Sequence, residues 1–429
     1  MTDIPNHGIC AVQNSGAGRL ATEMEMSFGR GRMPGSKTTL GTNDVVAAAK
    51  QPCPAILINL YIHVCHAECH DDESSFFCGT VMLPFALTLA LTALPLISAS
   101  SHYRAVDWSS LLVSERNGVY YQNPLGPVQP LETILTGNGV NMVRQRVFTT
   151  TGDYGIDYNI QLARRAMAAG LMFGLNIHYS DTWTNPGLQD IPSSWPRDTP
   201  SLTAKVSSYT LDLCNTFARA GLVPETITIG NEINGGLLWP NGKYDQPQAM
   251  AVFLHEAARA IRASNLRPTP KIQIHLSHGE DKEQMEWFFD LALKQGSLKL
   301  EDFDQQVVSF YPFWGEGATQ ANLSASLNNM ISRYGKDVMV AETNWPIICT
   351  DPDYPFPADT KDIPFSPAGQ ITWMQRTAST LSALPRALGI SYWEPAWVHN
   401  AVLGSSCEWN CMFDGNAKAY DSIGVFKII

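Results

Sequence analysis

The chain has 429 residues, 45% of them hydrophobic and 16% charged, with a formal net charge of −11. That is enough to bury one large core of the α/β-barrel kind, which needs roughly 250 residues or more. No block of five like charges and no cluster of Lys and Arg occurs, which argues against a nucleic-acid partner. The eleven Trp and fourteen Tyr suit flat, weakly charged ligands such as sugars, with core packing the commoner fate of each one.

The first hundred residues differ from the rest. From Phe76 to Ser101 there is no charged residue, and Met82–Ile97 is almost continuously apolar before the small residues Ser98, Ala99, Ser100 and Ser101. An apolar run ending in small residues has the form of a secretory signal, so residues 82–100 are expected to be a signal peptide. Met82 is then the functional start, and residues 1–81 a poorly ordered or untranslated leader. The alternative is an uncleaved signal anchor, since the uncharged run is long enough to cross ~30 Å of bilayer. The leader holds Cys10, Cys53, Cys65, Cys69 and Cys78 of the nine cysteines. Its His63–His70 stretch is rich in Cys and His, but the spacing matches no established zinc pattern, so no metal site is assigned.

Beyond Ser101, short β-rich runs alternate with amphipathic helical stretches. The strands are expected near Tyr103–Asp107, then at Val140–Arg146, Leu171–His178, Thr226–Gly230, Lys271–His275, Val307–Phe310, Val338–Glu342 and Leu388–Trp393. Helices are expected at Tyr158–Ala169, stopped by Gly170, and at Ser207–Ala220, stopped by Gly221, because glycine takes the left-handed conformation that ends helices. Ser366 followed by Pro367 has the form of a helix cap with proline in the first turn. Eight strand–helix units over about 320 residues predict a parallel sheet closed into a (β/α)8 barrel, the single domain covering residues 101–429.

Chemistry in such barrels sits at the C-terminal ends of the strands. The polar residues there are Arg144 and Arg146, His178 with Asp181, Asn231 with Glu232, His275, Tyr311, Glu342, and Trp393 with Glu394. Glu232 after the fourth strand and Glu342 in the seventh can both point into one barrel mouth. Glycoside hydrolysis needs such a pair, ~5–5.5 Å apart when configuration is retained. Glu232 is the candidate acid/base, whose pKa its surroundings must raise. Glu342 is the candidate nucleophile, kept ionised by Arg144 or Arg146 and Tyr311. Asn231 is a candidate for the sugar 2-hydroxyl. Trp183, Trp239, Trp393 and Trp397 are candidates for stacking on sugar rings, with core packing the alternative for each.

The strings Ile227–Ile233 (ITIGNEI) and Val340–Pro346 (VAETNWP) resemble the large clan of retaining barrel glycosidases. Further segments extend the resemblance in order from about Arg104 to the C-terminus: Val143–Val147, His178–Trp183, Gly236–Pro240, Ile274–Leu276, Ser309–Phe313, Tyr392–Trp397 and Gly404–Cys407. Together they resemble glycoside hydrolase family 53, the arabinogalactan endo-β-1,4-galactanases, of the fungal type. The resemblance implies a retaining endo-glycosidase acting on the β-1,4-galactan side chains of pectin, with no dissociable cofactor. It implies a disulfide between Cys349 and Cys407 in place of the calcium held by some bacterial members. The signal-like run at 82–100 makes the expected location extracellular, and the chain is expected to be a monomer. Cys214 is expected as a buried free thiol, and Cys411 has no family counterpart. Asn322 opens an Asn-Leu-Ser glycosylation sequon.

The chain departs from the family in three places. Ser277, His278, Gly279 and Glu280 stand where acidic and aromatic residues are usual, in a loop expected to border the sugar cleft. Asn234 and Gly235 replace bulkier residues beside the acid/base, and the first strand has Ala105-Val106-Asp107 where Gly-Ala-Asp is usual. The rival readings are another retaining endo-glycanase of the clan, a mannanase or glucanase, and a non-catalytic carbohydrate-binding barrel. The carboxylate pair alone does not separate the first of these, whereas a binding barrel would be expected to lack a carboxylate.

Overall fold

The computed structural model describes residues 103–429; the apolar run at 82–100 and the leader before it lie outside the described residues. Eight parallel strands close on themselves: β1 (Tyr103–Asp107), β2 (Met142–Val147), β3 (Met172–Ile177), β4 (Thr226–Ile229), β5 (Lys271–Leu276), β6 (Gln305–Ser309), β7 (Asp337–Thr343) and β8 (Ala387–Tyr392). Helices α1 (Leu111–Arg116) and α2 (Leu131–Gly137) follow β1. Then α3 (Ile156–Ala168), α4 (Thr199–Arg219), α5 (Pro247–Ala263), α6 (Lys282–Lys294), α7 (Gln320–Tyr334) and α8 (Pro367–Ser382) each separate two strands. This is the (β/α)8 barrel the alternation predicts.

The strands form because their residues alternate between two buried environments. On β2, Val143 and Val147 join the apolar layer between barrel and helices, while Met142 points into the barrel beside Tyr103, Ala105, Val307, Met339 and Ala341. Beside those apolar side chains lies a polar layer, in which Thr228 donates to Gln273 and Gln273 to Gln305, each at 2.7 Å. The next inward positions toward the strand ends include Arg144 and His275, so charge appears only where the barrel opens.

Helix ends follow local chemistry. Gly170 and Gly221 take positive φ just past α3 and α4, as expected. Ser366 accepts from the Gly369 amide at the head of α8. Helix α4 begins eight residues earlier than its apolar period suggests, because Asp198 accepts from the Ser201 amide and Pro200 fits the first turn.

Strand β7 carries one irregularity that shapes the site. Val340 pairs with Val308 of β6, but Ser309 pairs with Glu342 rather than Ala341. On the other side Ile390 pairs with Val340 and Tyr392 with Thr343. One extra residue of β7 therefore lies between Val340 and Thr343 relative to both neighbours. A bulge of this kind re-aims the side chain beside it, and here that side chain is Glu342.

Candidate active site

The open end of the barrel holds a cleft of about 630 Å³, lined by Asp107, Arg144, Arg146, His178, Trp183, Asn231, Glu232, Tyr311, Glu342 and Trp393 among others. At its floor, carboxylate oxygens of Glu232 and Glu342 and a ring nitrogen of His275 all lie within 4.8 Å of one another. The bulge in β7 turns Glu342 inward. Glu232 has a φ of 49°, a left-handed conformation strained for a residue with a side chain, and it lies three residues beyond β4. Both carboxylates are thus aimed by departures from ideal strand geometry.

The two glutamates have unlike surroundings. Arg144 Nη1 donates to Glu342 Oε1 at 2.7 Å, and Tyr311 Oη donates to Glu342 Oε2 at 2.9 Å. Burial raises the Glu342 pKa, while Arg144 and Tyr311 pull against it. Among the described residues, Glu232 has no cation at that distance. Burial and the Glu342 charge push its pKa up to about 7, partly opposed by Ser309 and His278. Only Glu342 has a guanidinium and a phenol on its oxygens, so of the two it loses its proton first and leaves Glu232 the proton carrier.

Two histidines form neutral scaffolding. Burial and the Arg144 charge hold both His178 and His275 well below the usual histidine range. The Thr184 amide donates to His178 Nδ1 at 3.1 Å, so Nδ1 is the acceptor and Nε2 carries the hydrogen. Arg144 Nη2 likewise approaches His275 Nδ1 at 3.2 Å, leaving His275 Nε2–H to donate to Ser309 Oγ at 3.0 Å. Ser309 in turn lies 3.5 Å from Glu342 Oε2. Asn231 Oδ1 accepts from Arg144 Nη2 at 3.2 Å, and its Nδ2 donates to the Thr184 carbonyl at 2.8 Å.

A second charged cluster stands beside the first. Arg146 pairs with Glu394 at 2.8 Å and lies 3.7 Å from Asp107. Its guanidinium also sits over the rings of Trp183, Tyr154 and Trp397, at 4.3, 4.7 and 5.0 Å from their centroids. Trp183 stacks on Trp397 and meets Trp393 edge-on. Glu394 is tied further by the amide and hydroxyl of Ser110.

Comparison with known proteins decides the family. The model of glycosyl hydrolase family 53 matches residues 103–426. The chain belongs to glycosyl hydrolase family 53. It is 50% identical over 329 residues to an arabinogalactan endo-β-1,4-galactanase of Thermothelomyces thermophilus, covering 76% of this chain and 99% of that one. It is 51% identical over 329 residues to one of Humicola insolens, again covering 76% and 99%. A solved fungal β-1,4-galactanase matches with a TM-score of 0.75 at 50% identity, over 76% of this chain and 99% of that one. The family 53 catalytic domain of Ignisphaera aggregans matches with a TM-score of 0.68 at 28% identity, over 77% and 96%.

In this family 53 chain the residues singled out from sequence separate into three groups. Arg144, Arg146, His178, Trp183, Asn231, Glu232, Tyr311, Glu342 and Trp393 line the cleft. His275, Glu394 and Trp397 stand behind it, as partners of residues that do. Asp181 and Trp239 are elsewhere: both line a neighbouring depression with Asp190, Ser193 and Arg197. Asp181 accepts from Thr149 and from the amide and hydroxyl of Ser193, which makes it a loop clamp, while Trp239 donates to the Gly235 carbonyl. The small residue at 235 suits that packing, because a Cβ there would stand 2.8 Å from the Trp239 ring.

Asp107, Ser309, Phe313 and Trp314 also line the cleft and were not singled out. Asp107 and Ser309 each end a strand, the same signal that marks Arg146 and Glu342. Cys349 and Cys407 form the implied disulfide, joining the loops after β7 and β8 next to cleft residues Leu403 and Gly404. Closing a loop of 58 residues contributes about 4 kcal/mol in chain-entropy terms. Cys214 and Cys411 are buried free thiols.

Proposed function

We propose that the chain hydrolyses internal β-1,4-galactosidic bonds with retention, Glu232 acting as general acid/base and Glu342 as nucleophile. The observation that carries this is the pair itself: carboxylates within 4.8 Å, one gripped by Arg144 and Tyr311, the other with its pKa pushed up to about 7. That separation leaves no room for the water an inverting pair must hold between its members. Glu342 attacks C1 of the sugar, and Glu232 gives its proton to the departing O4. Glu232 then takes a proton from the water that breaks the glycosyl–Glu342 bond, and both groups return to their starting states.

The surroundings fit the charge that develops. Glu342 stands in the cleft against the reacting carbon with Asp107 beside it, and a carboxylate there favours a cationic ring in the transition state. Asn231 keeps a second Nδ2–H for the 2-hydroxyl, and Trp393 offers a flat wall. The galactan specificity is supported by the fungal relatives, which carry that activity in their names.

The enzyme is further proposed to be secreted, on the apolar run at 82–100 and its small-residue ending. Among the described residues no helix is long and apolar enough to cross a membrane. Protein recovered from culture medium should begin near Ser101 and release reducing sugar from galactan in preference to mannan or carboxymethylcellulose. An N-terminus upstream of residue 82 refutes the secretory reading; intact galactan alongside cleaved mannan refutes the substrate.

A further inference from the structure

The structure fixes the loop after β5 firmly. The Ser277 amide donates to Asn234 Oδ1 at 2.8 Å, and Asn234 Nδ2 donates to Gln284 at the head of α6. The Gly279 amide donates to the Ser309 carbonyl at 2.9 Å. A Cβ on Gly279 would stand 2.3 Å from the Val308 side chain, so the loop lies flat on β6 with no slack. Between these anchors His278 adopts a φ of 54°, the left-handed region that a histidine enters only at a cost. The strained residue reaches the cleft, beside Ser277.

Glu280 completes the arrangement. His278 Nδ1 lies 3.2 Å from Glu280 Oε1, and the Glu280 side chain is only 10% exposed. The other Glu280 oxygen is buried with no hydrogen-bond partner among the described residues. A buried carboxylate so poorly served depends on its one neighbour being a cation. Glu280, Glu232 and Asp281 all act to raise the His278 pKa, while burial lowers it. With Nδ1–H directed at Glu280, the hydrogen on Nε2 is left for a ligand.

The position also says which part of a ligand that hydrogen meets. His278 follows Ser277, whose amide and hydroxyl are tied to Asn234 two residues past Glu232, and β5 adjoins β4 in the barrel, whereas Glu342 lies on β7, two strands further round. Glu232 must place its proton on the oxygen that leaves, so a group beside Glu232 and away from Glu342 faces the departing sugar. Arg146, Trp183 and Trp393 belong instead to the wall built from β2, β3 and β8.

We propose that His278, held by Glu280, is a specificity-determining residue that hydrogen-bonds the first sugar on the leaving-group side of the cleaved bond. The hydroxyl-rich ring there is gripped by a charged donor, and the ligand class is a neutral hexose of the polysaccharide. The inference rests on the retaining endo-hydrolase reading above.

The test compares two substrates in wild type and in His278→Ala, His278→Gln and Glu280→Gln. One is galactan, which places a sugar beyond the cleaved bond. The other is an aryl β-1,4-galactotrioside, whose leaving group is a nitrophenol. His278→Ala should lose about tenfold more kcat/KM on galactan than on the aryl substrate. His278→Gln, which keeps an N–H donor, should recover part of that difference, and Glu280→Gln should show a smaller differential loss. The His278→Ala variant should also divert less of the glycosyl-enzyme to an added galactose acceptor relative to water. Equal losses on both substrates with a lowered Tm would mark His278 as merely structural and overturn the proposal, as would no loss on either. If wild type cuts a different β-glycan, the function reading fails. The same ratio measured with that polymer and its aryl oligosaccharide then decides the role of His278 separately.

Discussion

Glu232 is costly to the fold and useful to the reaction for one physical reason. Burial and the Glu342 charge lift its pKa to about 7 from an ordinary value near 4.5. A carboxyl whose folded pKa is raised holds its proton more tightly in the folded than in the unfolded state. Its destabilising contribution is absent below about pH 4.5 and grows until the pH passes 7. Glu232→Gln removes a charge the fold resists, so its Tm should exceed that of wild type by a few degrees at pH 8, the advantage shrinking toward pH 4.5. Its kcat on galactan should fall about 10²- to 10⁴-fold. In wild type, kcat/KM should decline as pH rises through about 7, because the acid form is lost. A Tm advantage independent of pH would show that the carboxyl is not strained in this way. The sequence singled this residue out through the run of motifs around it, since an Asn-Glu after a buried strand is by itself a poor marker. The left-handed backbone that aims it was not, because no residue type announces it.

At the scale of elements, the arginines of β2 tie the barrel mouth together. Arg144 reaches β1, β4, β5 and β7, while Arg146 joins β1 to the loop after β8 through Glu394 and to the loop after β3 through Trp183. Both are buried, so removing one partner leaves a charge uncompensated. Arg146→Met should destabilise by about 3–5 kcal/mol. Adding Glu394→Leu should restore a large part of that loss, a coupling that a double-mutant cycle in denaturant measures. Strictly additive losses would mean that the pair does not act as a unit.

The strand ends that carry these residues were predictable from hydrophobic runs, but the pairing was not. Ser110 and Glu394 are 284 positions apart, and only barrel closure makes them neighbours. The β6 boundary moved for a related reason. Gln305 and Gln306 look like loop residues, yet Gln305 belongs to the polar layer inside the barrel, where it accepts from Gln273. Asp181 and Trp239 illustrate the opposite error: they follow strand ends in sequence, but their loops carry them over the rim.

For the whole molecule, the alternation of strand and helix pointed to the barrel, because parallel strands require crossovers and eight strands joined by seven of them close. Closure brings β4 and β7 to one mouth, and the bulge in β7 and the left-handed turn after β4 bring their carboxylates within 4.8 Å. That distance is the centre of the account, since it selects retention over inversion. The most direct measurement is proton NMR of galactan during the first minutes of cleavage, before the new reducing ends mutarotate. The account predicts that the β-anomer of the reducing-end galactose appears first and the α-anomer grows in later. An α-anomer formed first would show inversion and contradict the roles given to Glu232 and Glu342.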